Sequence, residues 1–384
     1  MKKVYLSIVI ILISGFSLFA QFENLHFGSD STLDVVSWNI EHFPKNGQTT
    51  INYVTQIIEA LDADIIAIQE ISDESYLNEL IENLDGWDGY YAYSQYVALG
   101  YLYKTSVIED PDIFEIYTSK SREFPRSPLV LEVDYQYEHI VVINNHLKCC
   151  GDGSLDINDE WDEETRRYDA CNLLDEYISD SHPNDKVFVV GDMNDELTNS
   201  YSNNVFRVFI DDPEKYDFVD MGIAEGSSTN WSYPTWPSHL DHILITDELF
   251  DEYENPGSGV ECIRLDDYFS SWSAYDNNVS DHRPVGVKIK TNSSLGVDDK
   301  QNQLVSLLNY PNPASGLTTI SISAQNRIAS IQICDVSGKP IRHFSLSNNQ
   351  TSVNWNTSLV PSGIYFVKLI VDNRVLLVNK LVVL

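Results

Sequence analysis

Positive charge is scarce in this chain. Only 24 lysines and arginines stand against 58 aspartates and glutamates, a net charge of −34. Between residues 4 and 300 the imbalance is sharper, with 16 basic residues against 56 acidic ones, or −40. A surface of that sign does not draw a polyanion at long range, which excludes a basic nucleic-acid-coating protein. It is tolerable in salty water, where the Debye length falls below ~8 Å, and it reads first as solubility in a saline habitat. Cysteine is also sparse, at five residues. No two cysteines are separated by two residues, which excludes the common zinc-binding spacings. Beyond the N-terminus no run is long and apolar enough to span a bilayer.

The chain does have one apolar run at its start. Lys2 and Lys3 precede the nearly all-apolar stretch Val4 to Phe19, and the small residue Ala20 lies before Gln21. Residues 1–20 are expected to be an export signal removed before Gln21. The run is shorter than the ~20 residues of a membrane span, and no cysteine follows it to accept a lipid. Export permits disulfides. Cys149 or Cys150 could bridge to Cys171 and pin the loop between them; an adjacent pair rarely bonds to itself, so one thiol is expected to pair elsewhere or stay free. Cys334 reads as a buried apolar residue.

Strand and helix signals alternate through the middle of the chain. Strands are predicted at Asp34–Ile40, Asp64–Ile71, Val97–Tyr103, Leu129–Val133, Ile140–Asn145, Val187–Val190, Leu240–Ile245 and Pro284–Lys290. Helices are predicted at Thr49–Asp62, with Ile51, Val54, Ile58 and Leu61 on one face, at Ser72–Leu84 with Ser72 as N-cap, and at Glu160–Ser179. This order predicts an α/β domain with mixed sheets. After residue 306 short β-rich runs separated by turns (Thr318–Ile322, Ile331–Cys334, Ile364–Leu369, Val375–Val378) predict a small all-β sandwich.

Several predicted strands end in a polar cluster. Asn39 follows Val35–Trp38, Glu70 follows Ile65–Ile68, His146 follows Val141–Ile143, and Asp192 and Asn194 follow Val187–Val190. Asp281 and His282 close the series. A sheet gathers distant strand ends onto one edge, and carboxylates, amides and two imidazoles meeting there describe a hard-metal site with an acid and a base. Oxygen ligands without thiolates favour magnesium or manganese, with calcium as an alternative. His239 and His242 flank Asp241, but a spacing of three puts them on opposite faces of a strand, so they read as cleft polar residues. Arg166 and Arg167 read as a solvated helix face. Tyr90, Tyr91 and Tyr93 read as packing residues in preference to a base-stacking platform. The aromatic stretch 225–239 is expected to line a cleft.

The motifs Ser37-Trp38-Asn39-Ile40, Ile68-Gln69-Glu70-Ile71, Phe124-Pro125-Arg126-Ser127-Pro128, Asn145-His146-Leu147, Gly191-Asp192-Met193-Asn194, Leu240-Asp241-His242-Ile243 and Ser280-Asp281-His282-Arg283-Pro284-Val285 together resemble the endonuclease/exonuclease/phosphatase superfamily of pancreatic-type deoxyribonucleases. The resemblance implies a four-layer α/β/β/α sandwich with two facing mixed sheets over residues 21–292. It implies Glu70 as first metal ligand, with Asn39 and Asp281 completing the shell or holding its waters. It implies His282 as general base, oriented by Asp241, and His146 as general acid. Asp192 and Asn194 would hold phosphate and attacking water or a second cation, and Arg126 would contact phosphate. One departure stands out: the glutamate that pairs with the equivalent of His146 in the pancreatic-type enzymes would fall near Val97, where no carboxylate lies.

Tyr310-Pro311-Asn312-Pro313-Ala314, Asp335-Val336-Ser337-Gly338-Lys339, Pro361-Ser362-Gly363-Ile364-Tyr365 and Val378-Asn379-Lys380-Leu381 resemble the C-terminal sorting domain of the type IX secretion system of Bacteroidetes. That resemblance implies a sorting domain over 306–384 after a linker at 293–305, export across the outer membrane and contact with the secretion machinery. The combined expectation is a secreted, monomeric, metal-dependent phosphodiesterase, foremost an endonuclease with DNA or RNA as its partner. A phosphatase or a sphingomyelinase-like phospholipase is the alternative, and a catalytically dead surface binding protein is a further one.

Overall fold

The computed structural model describes residues 21–94, 97–136, 138–291, 307–322, 329–346, 350–371 and 374–384. The expected export signal and linker lie outside the described residues. The chain separates into two compact units, Met1–Ser293 and Ser294–Leu384.

Among its described residues the first unit holds twelve strands in two six-stranded mixed sheets. They are β1 (Leu33–Phe43), β2 (Ile65–Ile71), β3 (Trp87–Ala92), β4 (Ala98–Lys104), β5 (Asp112–Glu115), β6 (Leu129–Tyr135), β7 (Glu138–His146), β8 (Lys186–Asp192), β9 (Tyr216–Phe218), β10 (Asp241–Thr246), β11 (Gly259–Cys262) and β12 (Val285–Ile289). One sheet runs β11-β12-β1-β2-β4-β3 and the other β5-β6-β7-β8-β10-β9. The pairs β1–β2 and β7–β8 are parallel, and the remaining pairs are antiparallel.

Alternation along the strands builds the layers. In β1 and β2, Val36, Trp38, Ile40, Ile66 and Ile68 pack against helices α1 (Gln48–Leu61) and α2 (Glu74–Glu82). Their neighbours Val35, Ile65 and Ala67 instead meet Leu131, Val142, Phe188, Val190 and Ile243 of the facing sheet. On the far side of that sheet, Val141, Ile143, Val187 and Val189 bury α3 (Glu163–Ser181) through Ala170, Leu174 and Ile178. Helix, sheet, sheet and helix make the four layers.

The strands that apolar runs do not announce (β3, β5, β9 and β11) are the four sheet edges. An edge strand has fewer neighbours, so it needs no continuous apolar run. In β3, Tyr91 packs on the helix-side core while Tyr90 remains exposed. The α2 cap is Asp73, whose carboxylate accepts from Ser75 N at 2.9 Å, and not Ser72. Ser72 is still occupied by the strand end, donating its N–H to Phe43 O at 3.0 Å.

The second unit is all β. A three-stranded antiparallel sheet joins β13 (Leu307–Tyr310), β14 (Leu317–Ile322) and β17 (Ser352–Asn356). A four-stranded one joins β16 (Pro340–Ser345), β15 (Ala329–Asp335), β18 (Gly363–Val371) and β19 (Arg374–Val383). Ile320, Val353 and Trp355 of one sheet and Ile331, Ile333, Val367 and Leu381 of the other share one core.

Candidate functional site

Two strands of the second sheet end, and a third begins, in register. His146 of β7 pairs with Asp192 of β8, and Asp192 pairs with Asp241 of β10. All three positions follow the alternation that faces the opposite sheet, in line with Val142, Val190 and Ile243. From that opposite sheet Asn39 reaches across, its Nδ2 donating to Asp192 Oδ2 at 2.9 Å and Glu70 Oε1 at 3.2 Å. Asn39, His146, Asp192, Asp241 and His282 are all buried.

Glu70 arrives by a different device. Strict alternation would turn it with Ile66 and Ile68 towards the helices. The register of β2 shifts between Gln69 and Ile71, and Glu70 takes φ 67°. This bulge turns its carboxylate to Asn39 and to within 3.8 Å of His146 Nε2, while Ile71 resumes packing on the helix side. A second irregularity in β1 gives Glu41 φ 36° and His42 φ 48°. There the His42 N–H donates to Glu70 Oε2 at 3.1 Å, and Glu41 Oε2 accepts from Asp281 N at 2.9 Å.

His282 is fixed from several sides. Its Nδ1 lies 2.7 Å from Asp241 Oδ2, and its Nε2 lies 3.8 Å from Asp192 Oδ2 and 3.9 Å from Asp281 Oδ1. Ser280 Oγ donates to Asn39 O at 2.6 Å and accepts from His282 N at 3.0 Å. The Tyr233 ring lies 4.8 Å from the imidazole, which brings the aromatic stretch 225–239 to the site. Burial opposes protonation of His282, but Asp241 and Asp192 outweigh it and raise its pKa to about 10. Burial pushes Asp192 up to about 6, with the Asp241 charge adding to it, and Asp281 up to about 7, with the Glu41 charge adding to it.

His146 sits on the other side of Asp192, with Nε2 3.6 Å from Oδ2. Burial first, then Arg126, holds its pKa well below the usual imidazole range. Its Nδ1 is buried with no hydrogen-bond partner among the described residues. Arg126 is half-buried and makes no hydrogen bond or ion pair among the described residues. Asn194, in the left-handed region at φ 54°, donates its N–H to Asp192 Oδ1 at 3.0 Å and its amide to Leu147 O at 3.3 Å.

Residues 36–282 match the sequence profile of the endonuclease/exonuclease/phosphatase family. The chain belongs to that family. Residues 309–384 match a secretion system C-terminal sorting domain, which marks this endonuclease/exonuclease/phosphatase protein for the outer-membrane route to the cell surface or beyond. No curated protein matches it. Among solved structures, TDP2 of D. rerio complexed with single-strand DNA product superposes with a TM-score of 0.50 at 14% identity, covering 68% of this chain and 100% of that one. Truncated Caenorhabditis elegans TDP2 gives 0.47 at 16%, covering 68% and 98%. The endonuclease/exonuclease/phosphatase of Beutenbergia cavernae gives 0.47 at 14%, covering 92% and 100%. At these identities the likeness is one of fold.

Several expectations are corrected around this site. His239 and His242 do not point apart: their rings lie 5.1 Å from each other, and both reach Asp220 Oδ2, at 3.0 and 2.7 Å. His239 precedes β10, so strand alternation does not govern it. Arg167 is not solvated. It is buried on α3, its Nε donating to Asp195 Oδ2 at 2.8 Å, with Glu164 Oε1 3.3 Å from Nη2. Cys171 is a free thiol buried against α3's core, not the partner of Cys149 or Cys150. Glu41 and His42 escape sequence reasoning because bulge geometry leaves no periodic trace, whereas Tyr233 lies in the aromatic stretch expected to line a cleft.

Proposed function

We propose that this chain is a secreted, divalent-metal-dependent phosphodiesterase, an extracellular endonuclease acting on DNA or RNA. The observation that carries the reading is the convergence of Glu70, Asn39 and Asp192 beside two buried imidazoles, with Asp241 on the far side of one of them.

The donor set fits a hard cation. Glu70, Asp192 and Asp281 offer carboxylate oxygens, while Asn39 Oδ1 accepts from Glu41 N at 3.0 Å, and burial of neighbouring carboxylates is costly without a counter-charge. Glu70 and Asp281 would hold magnesium or manganese, with Asn39 steadying the Glu70 carboxylate through Nδ2. A bound divalent cation supplies Lewis-acid polarisation of a phosphoryl oxygen and offsets the carboxylate charge that otherwise keeps His282 protonated.

The chain's own groups then divide the work. Asp241 accepts Nδ1–H and fixes the tautomer, so Nε2 of neutral His282 faces the site and takes the proton of attacking water. Asp192 and Asn194 hold the water and phosphate. Arg126 contacts the phosphate with its planar fork. An anionic phosphodiester beside His146 reverses the bias against its imidazolium, because opposite charge favours the charged form. His146 then gives its Nε2 proton to the departing oxygen.

The test is incubation of the full chain with plasmid DNA, RNA, sphingomyelin and inositol phosphates, with magnesium and then with chelator. Plasmid relaxation or RNA cleavage that chelator abolishes is expected. Turnover of lipid or small phosphoesters alone would replace the nuclease reading with the phosphatase or phospholipase one, which the acidic surface would suit.

A further inference from the structure

Two exposed thiols lie side by side just past the site. Cys149 and Cys150 follow His146 by three and four residues, and their Sγ atoms are 3.1 Å apart, closer than non-bonded sulfurs normally approach. The other cysteines of the first unit, Cys171 and Cys262, are buried in separate cores, and burial pushes both thiols far up.

The backbone between the exposed thiols is held in place. Arg167 Nη1 donates to Lys148 O at 2.7 Å and to Cys150 O at 2.8 Å, gripping the carbonyls of both flanking peptide units. Cys150 takes φ 70° and Gly151 φ 112°, so the chain turns sharply at the pair. A Cβ on Gly151 would lie 2.2 Å from Glu164 Oε1, and the turn therefore depends on glycine there. Arg167 in turn is anchored by Asp195, the neighbour of Asn194.

We propose that Cys149 and Cys150 form a vicinal disulfide in the exported protein, a reversible oxidation site in the loop that follows His146. The oxidant is a dialkyl disulfide. One cysteine thiolate attacks it, its S–S bond breaks, and one small thiol leaves with a proton. The second cysteine, giving up its proton, displaces the remaining thiolate, which takes that proton. Two protein thiols are oxidised and one disulfide is reduced to two small thiols. The secretion route places the protein where such oxidants persist.

The test uses the full chain exposed to oxidised glutathione, denatured in iodoacetamide without reductant and digested with trypsin. Cleavage after Lys148 and Arg166 gives a peptide with Cys149 and Cys150 as its only thiols. That peptide is expected two hydrogens light and unalkylated, becoming doubly alkylated only after reduction. In the folded protein, Cys149→Ser should expose one reactive thiol or one glutathione adduct where oxidised wild type shows neither. Double alkylation before reduction, a retained glutathione adduct on wild type, or a link to the Cys171 or Cys262 peptide would overturn the proposal.

Discussion

His282 and Asp241 meet at 2.7 Å, and the second oxygen of Asp241 is buried with no hydrogen-bond partner among the described residues. Among the described residues the carboxylate therefore hydrogen-bonds the imidazole alone. In Asp241→Asn the side-chain amide can no longer take Nδ1–H with full charge, and kcat on a chromogenic phosphodiester should fall about 10²–10⁴-fold with a smaller change in KM. His282 is held protonated up to about 10. A raised pKa of this kind contributes stability that is complete below the unfolded value of ~6.5 and is lost as pH rises through the folded one. Metal-free wild type should lose more stability across that window than Asp241→Asn. Equal slopes in urea unfolding would show that the pair is not coupled.

Magnesium should raise the melting temperature, and chelator should reverse the gain. At a hundredfold excess over Kd the stabilisation is about 2.7 kcal/mol. Glu70→Gln keeps the side chain's size but removes its charge, and most of the shift should vanish. A full shift in that variant, read by calorimetry without substrate, would place the cation elsewhere.

Beneath the site, His242 Nδ1 lies 2.7 Å from Asp220 Oδ2 and Nε2 lies 2.9 Å from Asp195 O. A carboxylate and a carbonyl both accept, so both ring nitrogens carry hydrogen and the group is an imidazolium. Burial pushes Asp220 up, yet His242 and His239 win and hold it well below the usual carboxylate range. Burial pushes His242 down, and Asp220 more than reverses it. The aspartate's contribution is present above ~3.9 and lost as pH falls; the histidine's is present below ~6.5 and lost as pH rises. Asp220→Asn should cost about 3–5 kcal/mol, most within that window. A pH-independent loss in denaturant titrations would refute the ion pair.

Gly191 precedes Asp192 at φ 141°, and a Cβ there would lie 1.9 Å from Asn145 O. Gly191→Ala must push β8 away from β7 where His146 and Asp192 pair. Overpacking of this kind costs about 1–3 kcal/mol, and activity should fall further than stability because the two site residues separate. Wild-type kinetics in a folded Gly191→Ala protein would show that this close approach does not matter.

Central strands were legible because they are buried on both faces and read as apolar runs, as at Ile65–Ile68 and Val187–Val190. Their polar ends were legible for the same reason: Asn39, His146 and Asp192 interrupt runs that packing alone would continue. The edge strands carried no such run. The Arg167 and Asp220–His239–His242 clusters were misread because charge looks solvated until its partner is seen, and those partners lie 28 residues from Arg167 and 22 from His242 along the chain.

By itself the sequence determined the alternation of strands and helices, the family motifs and the sorting tail, since all three are local patterns. Only the tertiary structure decided which oxygens face which imidazole. A register shift of one residue at Glu70 turns a carboxylate from the helix layer to the site, and such a turn depends on neighbouring strands rather than on residue type.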